Sequence, residues 1–331
     1  MNISFKHAPA AEFRKTFGRS LVSCALVVCM AATVSSAEAH RVLLQGNGRL
    51  VVLAADGAIE WEKEWGPLHD CHQLPNGNFL VLRGRATVCE IDRESREVVW
   101  SYDAAKSNGN NDPGIEVHAC QPLGNGNVMI VETVTQRIIE VDRDGKLQKA
   151  ISLVVDNPHP HTDTRLVRKL ASGNYLAAHE GDGKVREYDG QSGEVVWEYE
   201  VPMFGKQPAG GHGPEAFGNK VFCALRLKNG NTLLSTGNGH SVLEVTPGKE
   251  IVWQLHQHDL PGITLAWVTT LEVLPSGNIV LGNCHAGPGN PLLVEIVPSS
   301  KKVVWTLDRF EDFGNSVSNS QILLSDGTAI R

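Results

Sequence analysis

No C-x-x-C pair occurs anywhere in the 331 residues, which removes the usual ligand spacing of a structural zinc site. Cysteine is scattered. Two of the seven, Cys24 and Cys29, fall in an N-terminal leader; the other five, Cys71, Cys89, Cys120, Cys223 and Cys284, are odd in number and too widely spaced for a disulfide framework. Basic charge is not in excess: 30 Lys and Arg against 37 Asp and Glu give a net charge of −7, so no stripe exists to follow a nucleic-acid backbone. Outside the leader no stretch of weight carries a helical period.

What the chain does have is a repeat. The stretch from His69 to Tyr102, HDCHQLPNGNFLVLRGRATVCEIDRESREVVWSY, reads as four short strands over 71–74, 79–82, 88–91 and 97–102 with polar turns between them. Its first turn, Pro75-Asn76-Gly77-Asn78, places a glycine where positive φ is needed. The same turn returns after Leu123, Leu170, Leu227, Leu274 and, in weaker form, Leu324. The turn glycines Gly77, Gly126, Gly173, Gly230, Gly277 and Gly327 are separated, by subtraction, by 49, 47, 57, 47 and 50 residues. Six units of four strands predict an all-β fold, a six-bladed β-propeller of antiparallel blades. Cys71 and Cys120 stand three residues before their turn leucines, which suggests small buried side chains at a repeated packing position.

A second signature closes each unit. Asp92–Trp100 and Asp189–Trp197 share the spacing D-x-x-S-x-x-x-x-W, and Trp61, Trp253 and Trp305 hold the same place, while the unit around Asp142 has no tryptophan there. A ring on an outer strand packs against the next sheet, so these tryptophans read as structural. Residues 40–66 look like strands two to four of a unit without its first strand, and 317–331 like a first strand with nothing after it. Together they make one blade from both ends of the chain, which removes two open sheet edges.

Residues 1–39 carry Arg14, Lys15 and Arg19, an apolar run from Leu21 to Val34, and Ala37-Glu38-Ala39, the layout of a secretory signal peptide. The run is too short for a comfortable membrane span. The expectation is therefore export to the periplasm or medium, cleavage near His40, and a single monomeric propeller domain over 40–331 with no membrane span. Cys24 follows Arg19 too closely for a lipoprotein box.

The D-x-x-S-x-x-x-x-W segments resemble the tryptophan docking motif of quinoprotein-like (PQQ-binding-like) β-propellers, and the L-P-N-G-N hairpins resemble blades of the six-bladed bacterial arylsulfotransferase group. The resemblance covers residues 40–331. It implies the propeller fold and, through the second group, transfer of sulfate by a channel histidine with Arg, Asn and His groups around the anion. The quinone-dependent dehydrogenases of the superfamily resemble eight-bladed rings with adjacent cysteines beside a calcium-held quinone. This chain has neither feature, so no quinone or other cofactor is expected, and no catalytic residue carries over from the sulfotransferase pattern.

The first strand of each propeller blade lines the axis. Counting five residues before each turn leucine puts His69, His118, Arg165, Phe222, Thr269 and Asn319 at the hub, and the connecting loops add His159, His161, Asp163 and His212. The candidate channel set is His69, His118, His161, Arg165, His212, Thr269 and Asn319. A histidine there suits a nucleophile or general base, with Arg165 as an anion clamp. The same groups can instead hydrogen-bond one another across a wet axis. Two histidines flanking Pro160 seldom ligate a metal from a loop, so no metal is expected. Two functions follow: an exported binding or scaffold module for a protein, glycan or small anionic ligand, favoured by the long loop 202–219, or a channel-centred transferase or hydrolase with His69, His118 and Arg165 as its candidate catalytic residues.

Overall fold

The structure, a computed structural model, describes residues 39–325 and 329–331. The leader, with Cys24, and Gly327 lie outside them. Among the described residues there are six four-stranded antiparallel sheets and one short helix, Phe310–Phe313, and no helix is long and apolar enough to cross a membrane. The six-bladed expectation holds. Blade 2 has strands Cys71–Gln73, Phe79–Arg83, Thr87–Ile91 and Val98–Asp103, each within one residue of its reading from sequence. The inner strands of blades 3 to 6 are Val117–Pro122, Val167–Lys169, Cys223–Arg226 and Trp267–Val273.

Blade 1 is the shared one. Its inner strand is Ser320–Ile322, paired antiparallel with Val42–Gly46 in the register Val42 to Ile322, followed outward by Arg49–Leu53 and Ile59–Glu64. Past that inner strand, Ile330 pairs with Val273 of blade 6 through two backbone bonds of 2.8 and 2.9 Å. Both ends of the propeller chain are thus held in ladders.

The repeated residues have repeated tasks. In the first turn of blade 2 the Leu74 N–H donates to Asn78 O and the Gly77 N–H to Leu74 O, with Gly77 at φ 89°, a value that favours glycine. The asparagine that ends the turn reaches inward: Asn78 donates to Glu90, Asn174 to Glu187, Asn231 to Glu244 and Asn278 to Glu295, at 2.6–2.8 Å. That pairing ties the turn to the third strand. Four of the five docking tryptophans donate their indole N–H to a carbonyl of the next blade's outer turn: Trp61 to Arg93, Trp100 to Arg143, Trp197 to Pro247 and Trp253 to Pro298, while Trp305 packs edge-on against His40. In blade 3 Lys149 takes the place, its ammonium 5.7 Å from the centre of the Tyr175 ring. All five cysteines of the propeller are buried free thiols, and burial pushes Cys71 up to about 12 and Cys223 to about 11.

Six inner strands face one axis with an edge that, apart from two isolated bridges on the blade 6 strand, has no ladder partner, so their backbone N–H groups need acceptors from elsewhere. Side chains of neighbouring blades supply them. Gln321 Oε1 accepts from Gln73 N at 2.6 Å, Gln121 Oε1 from Lys169 N at 2.8 Å, and the Glu272 carboxylate from Ile322 N at 2.9 and 3.1 Å. Asp70, fully buried, accepts from Cys71 N, Cys120 N and Asn319 Nδ2, and takes both Nη atoms of Arg168 at 2.8 and 3.0 Å. Burial opposes its charge, but Arg168, His72 and Arg331 outweigh burial and hold its pKa well below the usual carboxylate range.

Removing one partner of such a pair leaves a buried charge uncompensated. Arg168→Leu is expected to lower the unfolding free energy by about 3–5 kcal/mol in a urea titration. Arg85→Ala, which breaks a pair whose arginine is 69% exposed, should cost under about 1 kcal/mol. Equal effects for the two would contradict the structural role given to the Asp70 pair.

Candidate functional site

Because successive strands run antiparallel, the start of each inner strand, the end of the second and the loop arriving from the previous blade meet at one end of the propeller. At that end His69, just before the inner strand of blade 2, lies edge-on to His118 of blade 3, ring centres 4.8 Å apart. His161, on the loop entering blade 4, approaches His118 to 5.5 Å and His69 to 5.9 Å. Arg165 Nη1 is 3.4 Å from His69 Nε2, and its guanidinium lies over the Phe222 ring at 5.4 Å. Three imidazoles and a guanidinium from blades 2, 3 and 4 therefore converge at the mouth of the hub.

The remaining candidates do other things. Asn319 donates to His69 O at 2.7 Å and to Asp70, so it fastens blade 1 to blade 2. Thr269 sits in a bulge of the blade 6 inner strand with its hydroxyl crowded against Gly282, where a Cβ would come within 2.6 Å. His159 is exposed and accepts from His161 N at 3.2 Å, and Asp163 is buried, its carboxyl pushed up to about 6 by burial. His212 does not join the three imidazoles. It stacks on Trp267 at 5.0 Å and lies 5.3 Å from His285, because its loop is strapped to blade 5: Gln257 donates to Pro214 O at 2.8 Å, and His240 Nε2 bonds Ala216 O at 2.5 Å.

Sequence reasoning missed the carboxylates and the lysine that complete the cluster. Glu116 Oε2 receives His118 Nε2 at 3.1 Å and His161 Nδ1 at 2.9 Å, and its Oε1 pairs with Arg85. Glu180 pairs with Arg165 and, at 3.3 Å, with Lys220, whose ammonium lies over the Trp267 ring at 5.6 Å. Part of the signal was present: two places before His118 and Phe222 stand Glu116 and Lys220, whereas Glu180, just past the second strand of blade 4, follows no such count.

The protonation states follow from the partners. Thr164 O can only accept, so His118 Nδ1, 2.9 Å away, carries a proton. Arg165 can only donate, so His69 Nε2 presents a lone pair, and His69 Nδ1 is buried with no partner. Burial pulls the His69 pKa well down, assisted by the nearby His118, Arg165 and His161, and burial lowers His118 too, against the pull of Glu116. Burial opposes the charge of Glu116, but hydrogen bonds from His118, His161 and Arg85 overcome it and hold the carboxyl well below its ordinary range.

A cleft of about 380 Å³ opens on this cluster between Pro67, Arg85, Glu116, His118 and His161. A larger one, about 550 Å³, lies at the opposite, turn end, lined by Arg168, Lys169, Glu187 and Arg226. There the charges already pair internally, Arg168 with Asp70, Lys169 with Glu140 and Arg226 with Glu187. Chemistry rather than volume singles out the smaller cleft.

Residues 46–307 match the family profile described as outer membrane protein assembly factor BamB. No curated protein matches the sequence. Among solved structures, a protein of unknown function from Bacteroides caccae superposes with a TM-score of 0.69 at 22% identity over 88% of this chain and 99% of that one. A catalytically inactive virginiamycin B lyase from Staphylococcus aureus, solved with quinupristin, gives 0.53 at 10% identity over 84% and 87%. The WD40 β-propeller domain of Doa1 gives 0.52 at 14% over 73% and 71%. At these identities the likeness concerns the fold alone.

Imidazoles buried in the neutral form make stability depend on pH. The unfolded chain takes up protons near pH 6.5, whereas His69 and His72 resist them, His72 down to about 4 because burial outweighs the attraction of Asp70. Below pH 6.5 the unfolded state binds more protons, so stability falls with pH, by up to about 1.4 kcal/mol per unit for each histidine. Urea titrations between pH 7 and 4.5 should show this slope, and His69→Gln should flatten it. A profile unchanged by that substitution would mean His69 titrates normally.

Proposed function

The chain belongs to the family of propellers described as outer membrane protein assembly factor BamB, and on that premise we propose that it is an exported binding module whose hub mouth takes a small anionic ligand or an anionic group of a glycan or protein. The observation that carries this reading is the charge at the mouth. Arg85, Arg165 and Lys220 face Glu116 and Glu180, three cations against two carboxylates, beside His69, which burial keeps neutral. One positive charge is left over, and His69 Nδ1 has no partner. A group that brings one negative charge satisfies both.

Export rests on the leader over 1–39, and the domain on the span 40–331. In the periplasm or outside the cell, a rigid ring with one chemically distinct face suits recognition, and the loop over 202–219 extends that face through His212 on Trp267. The arylsulfotransferase-like alternative would use His69 or His118 with Arg165. His118 has both nitrogens engaged, by Thr164 and Glu116, which leaves it poorly placed to act as a nucleophile.

p-Nitrophenyl sulfate separates the two. Calorimetry with the mature protein is expected to show saturable 1:1 binding that weakens at least about tenfold in Arg165→Ala, consistent with loss of a charged hydrogen-bonding group, with no p-nitrophenol released in the presence of a phenol acceptor. Release that His69→Ala abolishes would install the transferase reading, and a parent protein that binds neither this ester nor inorganic sulfate would remove the anion site. Mass spectrometry of the secreted or periplasmic fraction should place the mature N-terminus near His40. An intact leader on a cytoplasmic product would refute export.

A further inference from the structure

We infer that His69, His118 and His161, with Glu116, form a binding site for a divalent first-row transition ion of the zinc type. One ligand atom from each imidazole lies within 4.8 Å of the others. A tetrahedral centre with Zn–N near 2.1 Å needs roughly 3.4 Å between nitrogens, so the three must close by a little over 1 Å. His161, half-exposed on a loop, has the freedom to do it.

The hydrogen bonds already have the form a metal site needs. His118 spends its Nδ1 proton on Thr164 O, the backbone contact that commonly orients a ligating imidazole and leaves Nε2 as the donor. That Nε2 lies 3.1 Å from Glu116 Oε2, and His161 Nδ1 lies 2.9 Å from the same oxygen. A lone pair directed at a carboxylate oxygen is repulsive unless a cation lies between them, either a proton or a metal ion. His69 is the least committed of the three, with one ring nitrogen buried and unpartnered and the other in a long 3.4 Å contact with Arg165.

Nearby cations do not forbid the ion. Arg165 is paired with Glu180, and Arg85 is 69% exposed, so it can swing from Glu116 into solvent. Three imidazoles and one carboxylate suit zinc and its neighbours better than magnesium or calcium, which prefer oxygen. The donor set comes from blades 2, 3 and 4 and faces the cleft, so a fifth ligand can enter from that side, and zinc expands to five-coordination to admit one. This inference deepens the anion-binding reading, since an open position on a dication is itself an anion site.

The test uses mature protein made without a histidine tag, stripped with a chelator, and titrated with Zn²⁺ by calorimetry and Co²⁺ by visible absorption. One ion per chain is expected, with Mg²⁺ failing to compete. His161→Ala and His118→Gln should each weaken binding at least about 100-fold, while His212→Ala and His285→Ala leave it unchanged. Circular dichroism and melting of the variants confirm that they are folded, and the loop position of His161 keeps at least one of them so. Unaltered affinity in His161→Ala, or loss in the His212 and His285 variants instead, overturns the assignment. Stripped protein that still binds p-nitrophenyl sulfate but no ion loses this inference alone; protein that binds the ion but not the ester loses only the anion reading.

Discussion

Six sheet edges turned toward one axle is the constraint from which the hub chemistry follows. An inner strand has its ladder on the outer side, and the residues that face the hub, among them Asp70, His72, Arg168 and Glu272, are buried from solvent. Acceptors must therefore come from adjacent blades, and Asp70 is the most heavily used. It accepts from its own blade at Cys71, from blade 3 at Cys120, from blade 1 at Asn319 and from blade 4 at Arg168. A charge buried this deeply is tolerable only because those contacts are all present at once. The same logic explains Glu272 under Ile322, Gln321 under Gln73 and Gln121 under Lys169.

Much of this was legible, since strand phase is a property of sequence. Five residues before a turn leucine picks out His69, His118 and Arg165, which do meet. Two residues before it picks out His72, Gln121, Arg168 and Glu272, the tier beneath, and that second count needed only the recognition that inner-strand residues three apart stand at different depths in the hub. Thr269 shows where counting fails. The inner strands of blades 3 and 6 both bulge, between Val117 and Cys120 and between Val268 and Leu271. A bulge re-aims side chains, and it sends His118 to the mouth but Thr269 against Gly282.

Loops were the least legible part, for a different reason. His161 and His212 both lie on connections between blades, and both looked equally able to reach the axis. The path of each loop is decided by contacts far away in sequence: Asp182 caps the backbone of Asp156 and Asn157, anchoring the segment that leads to His161, whereas Gln257 and His240 hold the other loop over blade 5. No local period encodes such anchors. The docking tryptophans, by contrast, were readable because each needs only the next blade's outer turn, a contact repeated at the period of the sequence.

The two tiers of the hub are mechanically one object. His69, His118 and Arg165 begin or directly precede the inner strands of blades 2, 3 and 4, and Asp70 with Cys120 and Arg168 ties those same three strands together one to three residues further along the chain. A strand advances about 3.3 Å per residue, so the buried pair lies within a single turn-width of the imidazoles. Nothing else among the described contacts joins blade 2 directly to blade 4 below the mouth. The spacing of His69, His118 and Arg165 is therefore set less by their own weak contacts than by an ion pair beneath them, and it is the fully satisfied charge of Asp70 that lets a cluster with an unpartnered nitrogen above it keep its shape.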